Sequence, residues 1–173
     1  MKSSQIIANV LRFLGLLFLQ VLVLKRLPLG LGTETYLHII LYPLFILLLP
    51  IGTPQPLVLL LAFLMGLGVD VFYDSLGIHA AAAVITAFAR PLVLALLEPR
   101  EGYNVDQIPG RRTFGLNWFL QYSCLLLAVH LFSYFSIEAF TFYYILRILL
   151  KTLVSFFFSM IFVLLFSYLF KSD

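Results

Sequence analysis

Long apolar runs, separated by short polar connections, dominate the sequence. Charged, proline and glycine residues divide the chain into six apolar stretches, at positions 6–24, 36–50, 57–72, 77–97, 116–135 and 143–170. A helix rises about 1.5 Å per residue, so about 20 apolar residues cross the roughly 30 Å hydrocarbon core of a bilayer. The pattern predicts an all-α integral membrane protein, in which residues 1–173 form one bundle of about six transmembrane helices.

The first two stretches need separate interpretation. The first follows Lys2, is too long for the apolar region of a signal peptide and precedes no small-residue cleavage site, so we interpret it as an uncleaved first span. The second is short and contains Pro43, so it is either a kinked span or an incomplete one, and five spans is the alternative count.

The composition excludes a soluble domain. Hydrophobic residues make up 62% of the chain and charged residues 11%, against about 45–50% and about 25% in an average soluble domain. The longest polar segment, 98–115, is too short to fold alone. Cys124 is the only cysteine, which excludes an intramolecular disulfide and a cysteine-based metal site.

The net charge of +3 points to membrane edges and not to nucleic acid, because the basic residues stand at the ends of apolar runs. A cytoplasmic N-terminus places five of them inside, namely Lys2, Arg100, Arg111, Arg112 and Lys171. Lys25 and Arg26 then lie outside, together with Arg147 and Lys151 if the sixth span starts late. The excess predicts that both termini are cytoplasmic.

The third stretch ends in the most informative residues of the chain. Gly66 and Gly68 allow neighbouring helices to approach closely. Asp70 falls in the last helical turn, where the helix dipole disfavours a carboxylate, so it needs a partner. Arg147 and Lys151 share one helical face at about the same depth, and we predict an Asp70–Arg147 pair that locks two spans. Contact with a partner or ligand, or snorkelling of the basic groups to the headgroups, are the alternatives.

Other polar residues in the apolar stretches admit two interpretations. Asp74 either caps the fourth span or shapes the turn before it, with a binding role as the alternative. Arg90, which precedes Pro91, either snorkels to the headgroups or makes a polar contact inside the bundle.

Histidine and serine residues complete the polar set. His38, His79 and His130 lie on three different spans without the spacing of metal ligands, so they are expected to form hydrogen bonds between helices. Ser123, Ser155 and Ser159 are expected to bond carbonyls of their own helix. No nucleophile with its base, phosphate-binding glycine loop or catalytic carboxylate pair is recognisable, so we predict a protein that is not an enzyme and uses no cofactor.

Several of these residues carry a resemblance to a known family. Gly66-Leu67-Gly68-Val69-Asp70 and Leu76-Gly77-Ile78-His79-Ala80 resemble the central signature of the rod shape-determining membrane protein MreD family. The similarity extends over most of the chain, through segments 9–12, 51–56, 90–91, 97–103 and 147–151. The variant with the 97–103 loop is similar to the Bacteroidetes branch. Asp74 departs from the glycine or serine usual in the family, so the resemblance gives its carboxylate no role.

The resemblance implies a non-enzymatic inner-membrane component of the bacterial cell-elongation machinery, which links cytoplasmic filaments to peptidoglycan synthesis. Its implied partners are MreC and, through it, the actin-like MreB, the glycosyltransferase RodA and the elongation transpeptidase. Membrane lipids are also expected, and a homo-oligomer is left open. The implied fold is that of the S-components of energy-coupling-factor vitamin transporters. The interaction candidates inside the membrane are Asp70, Arg147, Lys151, Arg90, Gly66, Gly68, Gly77 and His79, and those in the cytoplasmic loop are Arg100, Arg111 and Arg112.

The S-component fold also supplies the alternative function. In that interpretation the chain is the membrane-embedded, vitamin-binding component of a transporter. Asp70, His79 and Arg147 would then line a pocket that opens outward.

Overall fold

The structure is a computed structural model that describes residues 3–26, 29–31 and 34–169. Helix α1 (Ser3–Phe18) continues through a π turn (Leu19–Val23) and a 3-10 turn (Leu24–Arg26). Strands β1 (Leu29–Leu31) and β2 (Glu34–Leu37) form an antiparallel hairpin. The remaining elements are α2 (Leu44–Leu47), α3 (Gln55–Tyr73), α4 (Ile78–Leu96), α5 (Arg111–Phe114), α6 (Leu116–Ala139), a 3-10 turn (Phe142–Tyr144) and α7 (Ile145–Leu169).

Four helices of the described residues, α3, α4, α6 and α7, are long and apolar enough to cross a membrane. They match the third to sixth predicted spans to within a few residues, which confirms the prediction of a helical membrane protein. Residues Ile7–Val23 form a shorter apolar helix. The four long helices follow one another as neighbours, since α4 packs against both α3 and α6, and α6 packs against α7.

The prediction of a second spanning helix at positions 36–50 is wrong. This stretch begins in β2, and its only helix in the structure is the four-residue α2. Pro43 stands directly before that helix and Pro50 follows it, and proline lacks the N–H that a continuous helix needs. Residues 39–50 are nevertheless all buried. The hydrophobicity of this stretch therefore predicted its burial correctly, but its secondary structure is not the predicted helix.

Two glycines of α3 serve different neighbours. A Cβ atom at Gly66 would lie 2.4 Å from the Cα of Ala80, so α3 and α4 touch backbone to backbone. A Cβ atom at Gly68 would lie 3.2 Å from the end of the Leu17 side chain on α1. Close helix approach is thus confirmed most strongly at Gly66, where no side chain can yield.

We expect Gly66→Ala to destabilise the protein by about 1–3 kcal/mol or more, because the added methyl group forces the backbones of α3 and α4 apart. The thermal unfolding midpoint in detergent measures the effect. Gly15→Ala is the matched control, because a Cβ atom added at Gly15 would have no neighbour within 4 Å. Equal midpoints for the two variants would contradict a backbone contact at Gly66.

Candidate functional site

Residues 38–50, which we call the buried segment, run through the bundle without regular helical hydrogen bonds over most of their length. A lipid environment offers no partners for free backbone N–H and C=O groups. The structure supplies these partners from side chains of four surrounding helices. These contacts form the main polar arrangement inside the described bundle.

Two serines of α7 hold the beginning of the buried segment. The backbone N–H of His38 donates to Ser155 Oγ at 3.0 Å, and that of Ile40 donates to Ser159 Oγ at 2.9 Å. Ser155 and Ser159 are four residues apart, so their hydroxyl groups lie on one face of the helix. The sequence predicted bonds of these serines to carbonyls of their own helix and missed this contact, in which the hydroxyl oxygens accept from the buried segment.

Gln20, in the π turn after α1, acts on the same part of the buried segment. Its Nε2 donates to Ile39 O at 3.0 Å, and its Oε1 accepts from Leu41 N at 2.8 Å. The side-chain amide thus pairs with the backbone as a neighbouring strand would. Gln20 Nε2 also lies 3.0 Å from the hydroxyl of Tyr73, which ties this level of α1 to the end of α3. Sequence reasoning missed Gln20, although an amide in an otherwise apolar stretch was a visible signal.

Two arginines and a tyrosine hold the other end of the buried segment. Arg12 Nη1 donates to Leu48 O at 3.0 Å, and Tyr122 Oη donates to Leu47 O at 3.1 Å. Arg90 Nη2 donates to Leu49 O and lies 3.4 Å from Pro50 O, while its Nε donates to Tyr122 Oη at 3.1 Å. These donors satisfy carbonyl groups of the last residue of α2 and of the residues that follow it.

Arg90 is only 2% exposed, so it does not reach the headgroups. The first interpretation, snorkelling, is wrong, and the alternative, a polar contact inside the bundle, is confirmed. The buried guanidinium is held by neutral oxygen atoms, namely the hydroxyl of Tyr122 and carbonyls of the buried segment.

Asp70 joins α3 to α4. Its Oδ1 accepts from Ser75 Oγ at 2.5 Å, from His79 N at 3.0 Å and from His79 Nδ1 at 2.9 Å, and its Oδ2 accepts from Ala80 N at 2.9 Å. The carboxylate therefore caps the N-terminus of α4, where the helix dipole favours negative charge. Asp70 does have the expected strong partners, but the predicted partner Arg147 is wrong.

The turn between α3 and α4 brings the Asp70 carboxylate within reach of the first N–H groups of α4. Asp74 ends α3 with φ of 53°, and Gly77 precedes α4 with φ of 83°. Both lie in the left-handed region, which reverses the chain so that α4 starts beside the end of α3. Asp74 thus shapes the turn, as one of its two structural interpretations predicted, and Asp70 provides the cap.

Arg147 and Lys151 belong to a different cluster, at the junction of α6 and α7. Lys151 Nζ lies 3.5 Å from Glu138 Oε2, and the guanidinium of Arg147 lies 5.3 Å from the centre of the Tyr144 ring. Both basic residues border a cavity of about 260 Å³ that Glu138 and Tyr144 also line. The predicted outward pocket of Asp70, His79 and Arg147 is therefore not formed, since the first two are 3% and 2% exposed and bond each other.

A third polar contact links the buried segment to α4 and α6. His130 lies between Thr86 Oγ1, 2.8 Å from its Nδ1, and Tyr42 Oη, 2.9 Å from its Nε2. Thr86 Oγ1 donates its proton to Ala82 O, so His130 Nδ1 is the donor to Thr86. The Tyr42 hydroxyl lies within hydrogen-bond distance of both His130 Nε2 and, at 3.2 Å, His79 O.

The three histidines differ in what their rings contact. Interhelical hydrogen bonding is confirmed for the side chains of His79 and His130. The His38 ring packs instead beside Tyr134 and Phe135. No group of three or more His, Cys, Asp or Glu residues that could hold a metal ion occurs in the part of the chain that the structure describes.

The polar loop 98–115 packs against the turn that follows the buried segment. Ile51 N donates to Gln107 O at 2.9 Å, and Gly52 N donates to Val105 O at 2.8 Å. Arg111 lies 4.0 Å from the centre of the Tyr168 ring, so it contacts the end of α7. Arg100 and Arg112, the other two candidate contact residues of the loop, are exposed.

No protein-family model, curated protein or solved structure matches the chain. The chemistry of the site must therefore be inferred from its geometry. The arrangement fixes an irregular backbone segment in the middle of a helical bundle, by hydrogen bonds from side chains at both of its ends.

Replacing Arg90 by Met removes the donor to Leu49 O and leaves buried carbonyl oxygens unpaired. We expect a loss of about 1–3 kcal/mol for each group left unsatisfied. The unfolding midpoint in detergent and the yield of inserted protein measure it. Arg100→Met is the control, because it removes the same charge from an exposed position. A stability of Arg90→Met equal to that of the control would show that the guanidinium does not hold the buried segment.

A double-mutant cycle separates the observed partner of Asp70 from the predicted one. We expect Asp70→Ala and His79→Ala to be coupled by about 0.5–3 kcal/mol, because the two side chains share a buried hydrogen bond. Asp70→Ala and Arg147→Ala should be additive within about 0.5 kcal/mol. Chemical unfolding of the single and double variants in detergent measures both cycles. A larger coupling with Arg147 would restore the pairing that the sequence suggested.

Proposed function

We propose that this chain is a non-enzymatic component of the bacterial cell-elongation machinery, of the MreD type, in the inner membrane. Its role is to link MreC, and through it MreB, RodA and the elongation transpeptidase, to peptidoglycan synthesis. The single observation that carries the proposal is where the residues of the sequence resemblance lie. Several of them, namely Arg12, Gly66, Asp70, His79 and Arg90, lie at contacts between elements of the bundle.

Two groups of these residues support the proposal. Arg12 and Arg90, from two segments of the resemblance, donate to consecutive carbonyl groups of the buried segment. Asp70 and His79, from its central signature, join α3 to α4, and Gly66 permits the contact beside them. Residues far apart in the sequence therefore serve one architecture, as expected when a resemblance reflects a common fold.

The finer architecture is part of the proposal. In it the chain makes six passes, with α1 as the first and the buried segment as a mostly non-helical second. The hydrogen bonds of the segment support this path, because its start lies beside Gln20 and its end beside Arg12, so it runs back along α1. We propose an S-component-like fold and cytoplasmic termini on the same basis. Lys2 and Lys171, which entered the charge count, lie outside the described residues.

Arg147 and Lys151 are the candidates for partner contact. They also belong to the resemblance, and in the structure Lys151 pairs with Glu138 while Arg147 lies over the Tyr144 ring. Arg147 is exposed at the start of α7, beside the cavity at Glu138 and Tyr144. We propose that the membrane-proximal part of MreC binds there, while exposed Arg100 and Arg112 contact acidic partners or headgroups on the other side.

Deletion of the gene in its own bacterium should turn rods into round cells, and the wild-type chain should restore the rods. Uptake of vitamins should stay unchanged, because transport is not the proposed role. Cell shape is measured by microscopy and uptake with labelled vitamins. Rods of normal width in a clean deletion strain would contradict the proposal.

Arg147→Ala should reduce copurification of an MreC-like protein from native membranes about fivefold or more, as for an interface residue that contributes over about 1 kcal/mol. Thr113→Ala, at an exposed position of α5 that has no proposed partner contact, is the control. Quantitative mass spectrometry of the purified complex gives the ratio. Equal recovery with both variants would place the partner elsewhere.

A further inference from the structure

The cavity of about 260 Å³ at the junction of α6 and α7 combines charged and apolar walls. Glu138 of α6 and Arg147 and Lys151 of α7 supply the charged groups. The remaining lining residues are Phe135, Ala139, Tyr144 and Ile148. The volume lies below the range of about 300–1,000 Å³ that is usual for small-molecule sites, so the cavity suits a group of side-chain size.

The charged groups of this cavity are accessible from outside the bundle. Lys151 is 19% exposed and Glu138 is 32% exposed, and Arg147 is exposed. Asp70 and Arg90, by contrast, are 3% and 2% exposed and are held by partners inside the bundle. A group from another molecule can therefore reach the cavity without opening the bundle.

The electrostatics of the cavity favour an additional anionic group. Its lining has two basic side chains and one acidic one, which leaves a formal excess of one positive charge. Arg147 and Lys151 stand in the first two turns of α7, where the helix dipole also attracts negative charge. Glu138 is the residue before the last of α6, where the dipole disfavours a carboxylate. Its distance of 3.5 Å from Lys151 exceeds the roughly 2.7–2.9 Å of a charge-assisted hydrogen bond, so the resident carboxylate is held loosely.

The turn beside the cavity shows a second feature of a contact surface. Phe140 directly follows α6 with φ of 50°, in the left-handed region that glycine usually occupies after a helix. Asp74, which also has a positive φ, belongs to a residue type that tolerates this conformation, whereas phenylalanine does not. The Phe140 ring is 94% exposed, so packing within the described chain does not offset the strain. Strained residues of this kind are concentrated where another molecule binds.

We propose that the cavity receives a carboxylate side chain of the partner, which replaces Glu138 at Lys151. This inference rests on the proposed function, in which the membrane-proximal part of MreC binds at Arg147, and it adds the chemistry of that contact. The entering carboxylate lies between Lys151 and Arg147, and its methylene groups lie on the apolar wall. An apolar side chain next to it in the partner covers Phe140. Glu138 therefore acts as a competitor that occupies the site in the free chain.

A lipid phosphate fits the cavity less well than a carboxylate side chain. The phosphate of a glycerophospholipid is a diester joined on two sides, so it cannot enter a space of side-chain size as an end group. A carboxylate is the end of its side chain, and Glu138 shows that such a group reaches Lys151. The charge and the size of the cavity together favour an acidic residue of a protein.

Zero-length cross-linking with a carbodiimide tests the exchange, because this reagent joins an amine to a carboxylate in contact with it. The purified full chain alone should give a cross-link between Lys151 and Glu138. In the purified complex with the MreC-like partner, Lys151 should instead join an Asp or Glu of the partner, which peptide mass spectrometry identifies. An unchanged internal cross-link in an intact complex would overturn the exchange alone. Failure to form any complex would contradict the proposed function, and this inference with it.

A variant without the competing carboxylate gives an independent test. Glu138→Gln should raise the affinity for the partner about two- to fivefold, the range for a partly exposed ion pair. Glu101→Gln, the same change at an exposed position of the 98–115 loop, is the control and should leave the affinity unchanged. Weaker binding by Glu138→Gln would show that Glu138 itself contacts the partner, and would overturn the proposal. Phospholipid that Lys151→Gln displaces, without a partner cross-link at Lys151, would assign the cavity to lipid and also overturn it.

Phe140→Gly separates the contact from the stability of the fold. Glycine fits a positive φ, so the unfolding midpoint in detergent should stay the same or rise. Recovery of the partner should fall about fivefold or more, as for a residue at the centre of an interface. Val105→Ala, which removes exposed apolar atoms from the 98–115 loop, is the control. Recovery equal to that of the control would show that the partner does not cover this turn.

Discussion

The need to pair every backbone N–H and C=O group inside the membrane decides most of this structure. A regular helix meets that need by itself, but the buried segment does not, because Pro43 and Pro50 interrupt it. Amide groups at its start therefore take acceptors from α7 and from the turn after α1, and those of residues 44–49 bond within the segment. Carbonyl groups at its end take donors from α1, α4 and α6. Polar residues that look isolated in the sequence of each span thus converge on one segment.

The same logic explains the two most deeply buried charges. Asp70 meets the free N–H groups at the start of α4, and Arg90 meets free carbonyl groups after α2. In each case the backbone supplies the partial charge that an ion pair would otherwise supply. A buried ion pair must also overcome the desolvation of two charged groups, whereas here only one charge is buried at each place. The buried carboxylate of Asp70 could be stabilised either by Arg147, as the sequence suggested, or by backbone N–H groups. In the structure the N–H groups at the start of α4 are the ones within hydrogen-bond distance.

The sequence predicted the four long helices well, because an apolar run of membrane length bounded by glycine, proline and charge leaves little choice. Positions 57–72 became α3 (Gln55–Tyr73), and positions 77–97 became α4 (Ile78–Leu96). It failed at positions 36–50, because hydrophobicity reports burial and is the same for a buried helix and a buried irregular segment. Pro43 in the sequence indicated that a helix would be interrupted there. Gln20 was a second indication, but only the fold shows that its side chain bonds to this segment.

For the candidate site, depth in the membrane placed Asp70 beside Arg147, but the rotation of each helix about its axis was not available from the sequence. That rotation turns Asp70 toward Ala80 and Arg147 toward the ring of Tyr144.

A bundle that uses its buried polar groups internally has consequences for the proposed function. The contacts at both ends of the buried segment fix the positions of α1, α4, α6 and α7 relative to one another, as the proposed scaffold role requires. Exposed basic residues stand near the ends of the long helices, with Arg147 at the start of α7 and Arg100 and Arg112 in the 98–115 loop. Between these ends the helices expose apolar side chains, for example Leu153 and Phe157 of α7. For the proposed role, recognition within the membrane would depend on shape, and recognition at the two membrane surfaces on charge.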